Sequence, residues 1–135
     1  AGILRSTSER LFERSCEQNS NVKYVYKNGD SGQQYLSVVY GTNFDKQRLF
    51  YPDYIVQLQD DSIWLIETKG GEKNGQSKNI DIQIENKFEA FKEFASKHGY
   101  NFGFVRDRND KLYLNNTEYI EDMRDDNWII LEEVF

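Results

Sequence analysis

Pro52-Asp53-Tyr54-Ile55-Val56-Gln57-Leu58-Gln59-Asp60-Asp61-Ser62-Ile63-Trp64-Leu65-Ile66-Glu67-Thr68-Lys69-Gly70-Gly71 is the stretch that decides the fold. Tyr54 to Leu58 and Ser62 to Lys69 are rich in β-branched and aromatic residues, and they read as a hairpin turning at Gln59-Asp60-Asp61. Pro52, the chain's only proline, sets the start of the first strand, and Gly70-Gly71 ends the second. Ile63 to Ile66 is apolar throughout, as in a strand covered on both faces. Two charges then appear at its end. Side chains alternate along a strand, so Glu67 and Lys69 share one face and Thr68 takes the other. Charges in that place mark either a solvated strand end or a site.

Register decides between them. With Asp60 and Asp61 alone in the turn, Asp53 lies opposite Thr68 and the carboxylates diverge. With Gln59, Asp60 and Asp61 in the turn, Leu58 pairs with Ser62 and Asp53 falls opposite Glu67, with Lys69 nearby. A functional site requires the second register, or a bulge of the same effect.

Working outward, Ser6 to Glu17 reads as a helix with capping-box spacing between Ser6 and Glu9, and with Leu11, Phe12, Ser15 and Cys16 on its less polar face. Val22 to Lys27 and Gln34 to Tyr40 read as strands joined into a hairpin by Asn28-Gly29-Asp30-Ser31-Gly32, followed by a polar loop from Gly41 to Arg48. A loop of Gly, Lys, Asn and Gln follows Gly70-Gly71 to about Asn79. A longer helix, from about Asp81 to His98, carries the stripe Ile80, Ile84, Phe88, Phe91, Phe94 and Ala95 and stops at Gly99. Asn101 to Arg106 and Lys111 to Leu114 are expected strands, turning at Asp107 to Asp110. A helical turn near Glu118 to Arg124 and a strand from Trp128 to Phe135 are expected to complete the series. A right-handed crossover after Lys69 makes the Asn101 strand parallel to the one ending at Lys69. The expectation is an α/β domain with a mixed central sheet flanked by helices.

The 135 residues suit one domain, and 38% hydrophobic with 15% aromatic content suits a packed core. A single cysteine, Cys16, makes no internal disulfide. No apolar run approaches the roughly 18 residues that span a bilayer, and no signal peptide opens the chain. A soluble, cytoplasmic domain is expected. The net charge of −6, from 17 Lys+Arg against 23 Asp+Glu, has the wrong sign for gripping nucleic acid through counterion release. An acidic domain still cuts DNA where metal ions neutralise its site and another domain holds the duplex.

Asp53, Glu67 and Lys69 supply what metal-assisted phosphodiester cleavage requires, two carboxylates and an ammonium. Oxygen ligands suit Mg²⁺, which keeps most of its waters while one or two carboxylates hold it, with Mn²⁺ as a substitute. His98 is the only histidine, so neither a zinc site nor a Ser-His-Asp triad is available.

Pro-Asp, a spacer and then Glu-x-Lys resembles the PD-(D/E)xK nuclease superfamily. More narrowly, Phe50-Tyr51-Pro52-Asp53-Tyr54-Ile55-Val56 with Ile66-Glu67-Thr68-Lys69-Gly70 resembles the C-terminal endonuclease domain of type III restriction enzyme Res subunits and related helicase–nuclease proteins. The resemblance spans roughly Ser8 to Arg106. It implies a restriction-endonuclease-like αβββαβ core and a Mg²⁺-dependent DNA endonuclease within a longer helicase-containing polypeptide. It also implies a translocating domain and a modification (methyltransferase) subunit as partners. Asp53, Glu67, Lys69 and Lys87 are then the catalytic set. Asp53, Glu67, Thr68 and a first-helix carboxylate form the metal set.

Glu9 is preferred over Glu13 for that carboxylate because it borders the Phe12–Cys16 face, although capping alone also accounts for it. Lys87 falls inside the apolar stripe, between Phe91 and Phe94, so it either reaches the carboxylates or a DNA phosphate, or carries its ammonium past the helix edge. Lys73 and Lys78 are either DNA contacts or residues of a solvated loop. The competing expectation is a nuclease-derived binding module without chemistry, against which the complete Asp53, Glu67, Lys69 set weighs. A junction resolvase on the same fold would call for a symmetric basic dimer.

Overall fold

The computed structural model describes residues 6–28, 38–41, 47–70, 72–73, 76–77 and 84–135. Helix α1 (Thr7–Gln18) starts at Ser6, whose Oγ accepts from the Glu9 backbone N–H at 3.2 Å and donates to Glu9 Oε1 at 3.3 Å. This satisfies one of the orphan donors of the first turn. Strands β1 (Val22–Lys27), β4 (Tyr54–Leu58), β5 (Ile63–Lys69), β8 (Asn101–Arg108), β9 (Lys111–Asn115) and β10 (Ile129–Ile130) form a six-stranded sheet in the order β1-β4-β5-β8-β9-β10. Strands β5 and β8 pair parallel across helix α2 (Ile84–His98), and every other neighbour is antiparallel. The crossover is therefore the expected one, in a mixed α/β fold consistent with a restriction-endonuclease-like domain.

Alternation along β5 sends Trp64 and Ile66 toward α1, where they meet Phe12, Cys16, Tyr54, Val56, Val105 and Leu114. Leu65 points the other way, with Phe102 and Phe104, against Ile84, Phe88, Phe91 and Ala95 of α2. Each helix thus covers one sheet face with the stripe its sequence spacing marks out. Gly99, at φ 75°, ends α2 in the left-handed conformation that favours glycine. Gly103 admits close contact with Leu114, since a Cβ there would lie 2.6 Å from Leu114 Cγ.

Several expectations are corrected. Among the described residues, strand β1 pairs with β4, while β2 (Val38–Gly41) pairs with β3 (Gln47–Phe50) in a separate two-stranded sheet. Of the expected Gly41–Arg48 loop, Gly41 ends β2 and Gln47 and Arg48 open β3, while 42–46 lie outside the described residues. Alternation assigns a face to a strand, not a partner, and β4 has a second edge open to β1. Of the expected turn, Asn28 lies among the described residues, and its N–H donates to the Asp53 carbonyl at 2.9 Å. The residues at 29–32 lie outside them, as do those at 34–37, 78–83 and Lys78's expected DNA contact. After Gly70, β6 (Glu72–Lys73) and β7 (Gln76–Ser77) pair antiparallel where a loop was expected.

Glu118 to Arg124 forms turns rather than a helix. Asn115 Oδ1 accepts from Thr117 N at 3.0 Å, Asp122 Oδ1 from Arg124 N at 2.9 Å, and Asp125 Oδ1 from Asn127 N at 2.9 Å. Such local side-chain acceptors compete with helical bonds. Of the expected final strand, Ile129–Ile130 pairs with β9, and Leu131–Glu133 closes into a 3-10 turn. Tyr119, Met123 and Trp128 of this C-terminal segment complete the core on the α2 side. Among the described residues no helix is long and apolar enough to cross a membrane.

Candidate active site

The β4–β5 hairpin adopts the register that a site requires. Tyr54 pairs with Ile66 and Gln57 with Ile63, and the Leu58 N–H donates to the Ser62 carbonyl at 3.0 Å. The turn is Gln59-Asp60-Asp61, with Asp61 at φ 68° and Asp60 Oδ1 accepting from Ser62 N at 2.9 Å. Continued one step beyond β4, this register sets Asp53 opposite Glu67. Asp53 lies just past the end of the backbone ladder, and its carboxylate continues it: Oδ2 accepts from Thr68 N at 2.9 Å and from Thr68 Oγ1 at 2.6 Å.

Glu67 is 9% exposed, and its Oε1 has no hydrogen-bond partner among the described residues. Burial pushes its carboxyl well above the usual carboxylate range. The negative charge of neighbouring Asp53 pushes the same way, while the ammonium groups of Lys69 and Lys87 oppose both. Asp53, Glu67 and Lys69 thus meet at the end of the β4–β5 hairpin, and the charge of Lys87 on α2 acts on Glu67 as well. Lys69 and Lys87 are each half-buried.

The first-helix carboxylates are engaged with Lys27 and Tyr54. Glu9 Oε2 pairs with Lys27 Nζ at 3.2 Å, and that ammonium lies 4.6 Å from the centre of the Tyr54 ring. Glu13 accepts the Tyr54 hydroxyl hydrogen. Burial, this bond and the charges of Glu13, Glu9 and Asp53 together hold the Tyr54 phenol far above its ordinary range. Among the described residues no three His, Cys, Asp or Glu side chains are grouped to hold one metal ion. Thr68, expected among the metal residues, spends both its N–H and its hydroxyl on Asp53.

The donor set still fits a hard divalent cation. Two adjacent carboxylates, one with a buried, unpartnered oxygen, repel each other until a proton or a cation joins them. Mg²⁺ held by one or two carboxylates, with water completing its shell, asks for no more.

Three residues at the site were not anticipated. Ser8 is fully buried, and its hydroxyl lies 2.6 Å from the Lys69 carbonyl and 2.5 Å from Asp107 Oδ1, sharing its hydrogen between them. Arg106 bonds the Gly70 carbonyl. Arg106 and Asp107 are charges on a strand otherwise apolar from Phe102 to Val105, and that departure was the available signal. Ser8 gave none beyond its place beside Glu9.

A family model described as TnsA-like endonuclease N terminal matches residues 30–107, more than half of the chain. The match contains Asp53, Glu67, Thr68, Lys69 and Lys87, and leaves out α1 and the C-terminal segment. No curated protein matches the chain.

Proposed function

Because the chain belongs to the TnsA-like endonuclease N-terminal family, within the restriction-endonuclease-like PD-(D/E)xK superfamily, we propose that it is a Mg²⁺-dependent DNA endonuclease acting through Asp53, Glu67 and Lys69. The observation that carries this reading is the buried Glu67 Oε1 beside Asp53, without a hydrogen-bond partner among the described residues and within reach of the charges of Lys69 and Lys87. Superfamily members generally use divalent metals; here Asp53 and Glu67 would hold the ion. When bound, Mg²⁺ neutralises the scissile phosphate and makes water a better nucleophile. Thr68 fixes the Asp53 carboxylate through two hydrogen bonds, so its second oxygen keeps one orientation. Lys69 places positive charge beside the attacking water. Lys87 offsets the carboxylates from the helix side. Water oxygen bonds to phosphorus, the bond to the 3′ oxygen breaks, and a 5′-phosphate and a 3′-hydroxyl result.

The finer placement, a type III restriction-like enzyme with a helicase or translocase domain and a modification subunit, rests on the Phe50–Val56 and Ile66–Gly70 blocks. The net charge of −6 agrees with a partner that holds the duplex. We place the domain, as one unit of a longer cytoplasmic polypeptide, on the same grounds. Glu9 enters the metal site in this reading only by giving up its ion pair with Lys27.

Metal linkage tests the site without DNA. Mg²⁺ or Mn²⁺ should raise the melting temperature by mass action, roughly 2.7 kcal/mol at a hundredfold excess over the dissociation constant. Glu67→Ala should remove most of that rise. A wild-type melting curve unmoved by millimolar metal would count against the site.

A further inference from the structure

The strand that carries Glu67 and Lys69 leaves the sheet under unusual restraint. Asp53 holds the Thr68 N–H, Ser8 the Lys69 carbonyl, and Arg106 Nε the Gly70 carbonyl at 2.9 Å. Arg106 is the costly member of this set. Lys69 pairs directly with Arg106 across the parallel β5–β8 ladder, and alternation after Phe102 and Phe104 puts both on the α2 face. A position two residues beyond two core phenylalanines would be apolar if packing alone mattered. Instead it holds a guanidinium that is 0% exposed. Burying a charge is expensive, and an apolar residue of similar volume is often the more stable choice.

The partners of the guanidinium show what it does. Nη1 donates to the Glu121 carbonyl at 2.9 Å, while Nη2 has no hydrogen-bond partner among the described residues and lies 3.7 Å from Glu121 Oε1. The group therefore ties the end of β5 to the C-terminal segment. That segment is anchored in turn by Trp128, whose Nε1 donates to the Ile120 carbonyl at 2.8 Å and whose ring lies 5.4 Å from the guanidinium carbon. Glu121 and Trp128 lie beyond the residues that the family model matches.

We propose that Arg106 is a positioning residue of the site: braced by the 120–128 segment, it fixes the backbone at Gly70 and so the place of the Lys69 ammonium. The role in cleavage rests on the nuclease reading; the restraint on the backbone does not. The planar fork suits this task because it bonds two carbonyls at fixed angles, which an ammonium on a flexible stem does not.

Arg106→Met and Trp128→Phe test it, with amide hydrogen exchange read along β5. Exchange at Thr68, Lys69 and Gly70 should speed up about tenfold or more beyond any change at Leu65 and Ile66, because the opening is local. In Arg106→Met, kcat should fall on the order of 100-fold through misplacement of Lys69, with KM and metal-induced stabilisation unchanged. Trp128→Phe should shift both readouts the same way, by less. Uniform acceleration along β5 matching the loss of melting temperature would make Arg106 merely structural. So would full activity in a folded Arg106→Met protein. Should Arg106→Met fail to fold, Trp128→Phe, which removes the indole N–H bond to the Ile120 carbonyl and trims the ring beside the guanidinium, decides by the same exchange pattern. A wild type that cuts no DNA removes the nuclease reading and leaves that pattern to decide for Arg106.

Discussion

Replacing Lys69 with alanine is expected to slow DNA cleavage about 10²–10³-fold while leaving metal binding intact, the cost of deleting one preorganised group that stabilises developing charge. A protonated lysine has no lone pair for a cation, so Lys69 contributes nothing as a ligand. Its charge lowers the proton affinity of Glu67, and its ammonium competes with any cation placed between the carboxylates. Metal-induced stabilisation in Lys69→Ala should therefore equal or exceed that of wild type. Single-turnover cleavage and melting curves with and without Mg²⁺ separate the two effects. Cleavage at the wild-type rate by Lys69→Ala would overturn the role assigned to this residue.

Glu67→Gln is expected to abolish cleavage and metal response yet stabilise the metal-free protein at neutral and alkaline pH. Burial, then the neighbouring Asp53, raise the folded-state pKa of Glu67 above its value in the unfolded chain, about 4.3. The sign follows from proton linkage. Below the unfolded value both states hold the proton, and this group costs no stability. As pH rises from there through the raised folded value, the unfolded chain gives up its proton while the folded chain must retain it or bury a charge, so stability falls. Glutamine keeps the volume and stays neutral. Metal-free Glu67→Gln should melt higher than wild type above that window, by the equivalent of about 1–3 kcal/mol, and its pH dependence there should be flatter. Melting across the carboxylate range and into alkaline pH measures this. A variant that melts lower than wild type at alkaline pH would mean that the Glu67 charge is well accommodated. Lost activity with gained stability is the trade expected where a site holds uncompensated charge.

The hairpin and its charges were legible because β4 and β5 are local: their partners lie within one turn in sequence, and a glutamine and two aspartates define that turn. The register remained open between two alternatives, since periodicity alone does not count turn residues. Helix α2 and the parallel β5–β8 pairing were legible from the stripe Ile84, Phe88, Phe91 and Ala95 and from the handedness of crossovers. The pairing of β1 with β4 was not, because a contact between residues as distant as Tyr26 and Ile55 leaves no trace in either strand's alternation. Ser8, Arg106 and Asp107 were missed for a related reason. Each acts on backbone or side chains far along the chain; the charges at the end of an apolar strand mark Arg106 and Asp107, but a buried serine looks like any surface polar residue until its partners are in place. Glu118 to Arg124 reads as a helical turn but forms turns, because Asn115 and Asp122 side chains cap backbone N–H groups locally.

The central claim is that Asp53 and Glu67 together hold a divalent cation that cuts DNA. Asp53 carries the most direct test, since Asp53→Ala removes one proposed ligand and the anchor on Thr68 in a single change. Supercoiled plasmid should be incubated with Mg²⁺ and with enzyme in excess, so that weak affinity of an acidic chain for DNA does not limit the outcome. Wild-type protein should give relaxed and linear products bearing 5′-phosphates, and none with chelator; Asp53→Ala should give none in either condition. Equal cleavage by wild type and Asp53→Ala, or intact plasmid with wild type under Mg²⁺ and Mn²⁺ alike, would contradict the claim.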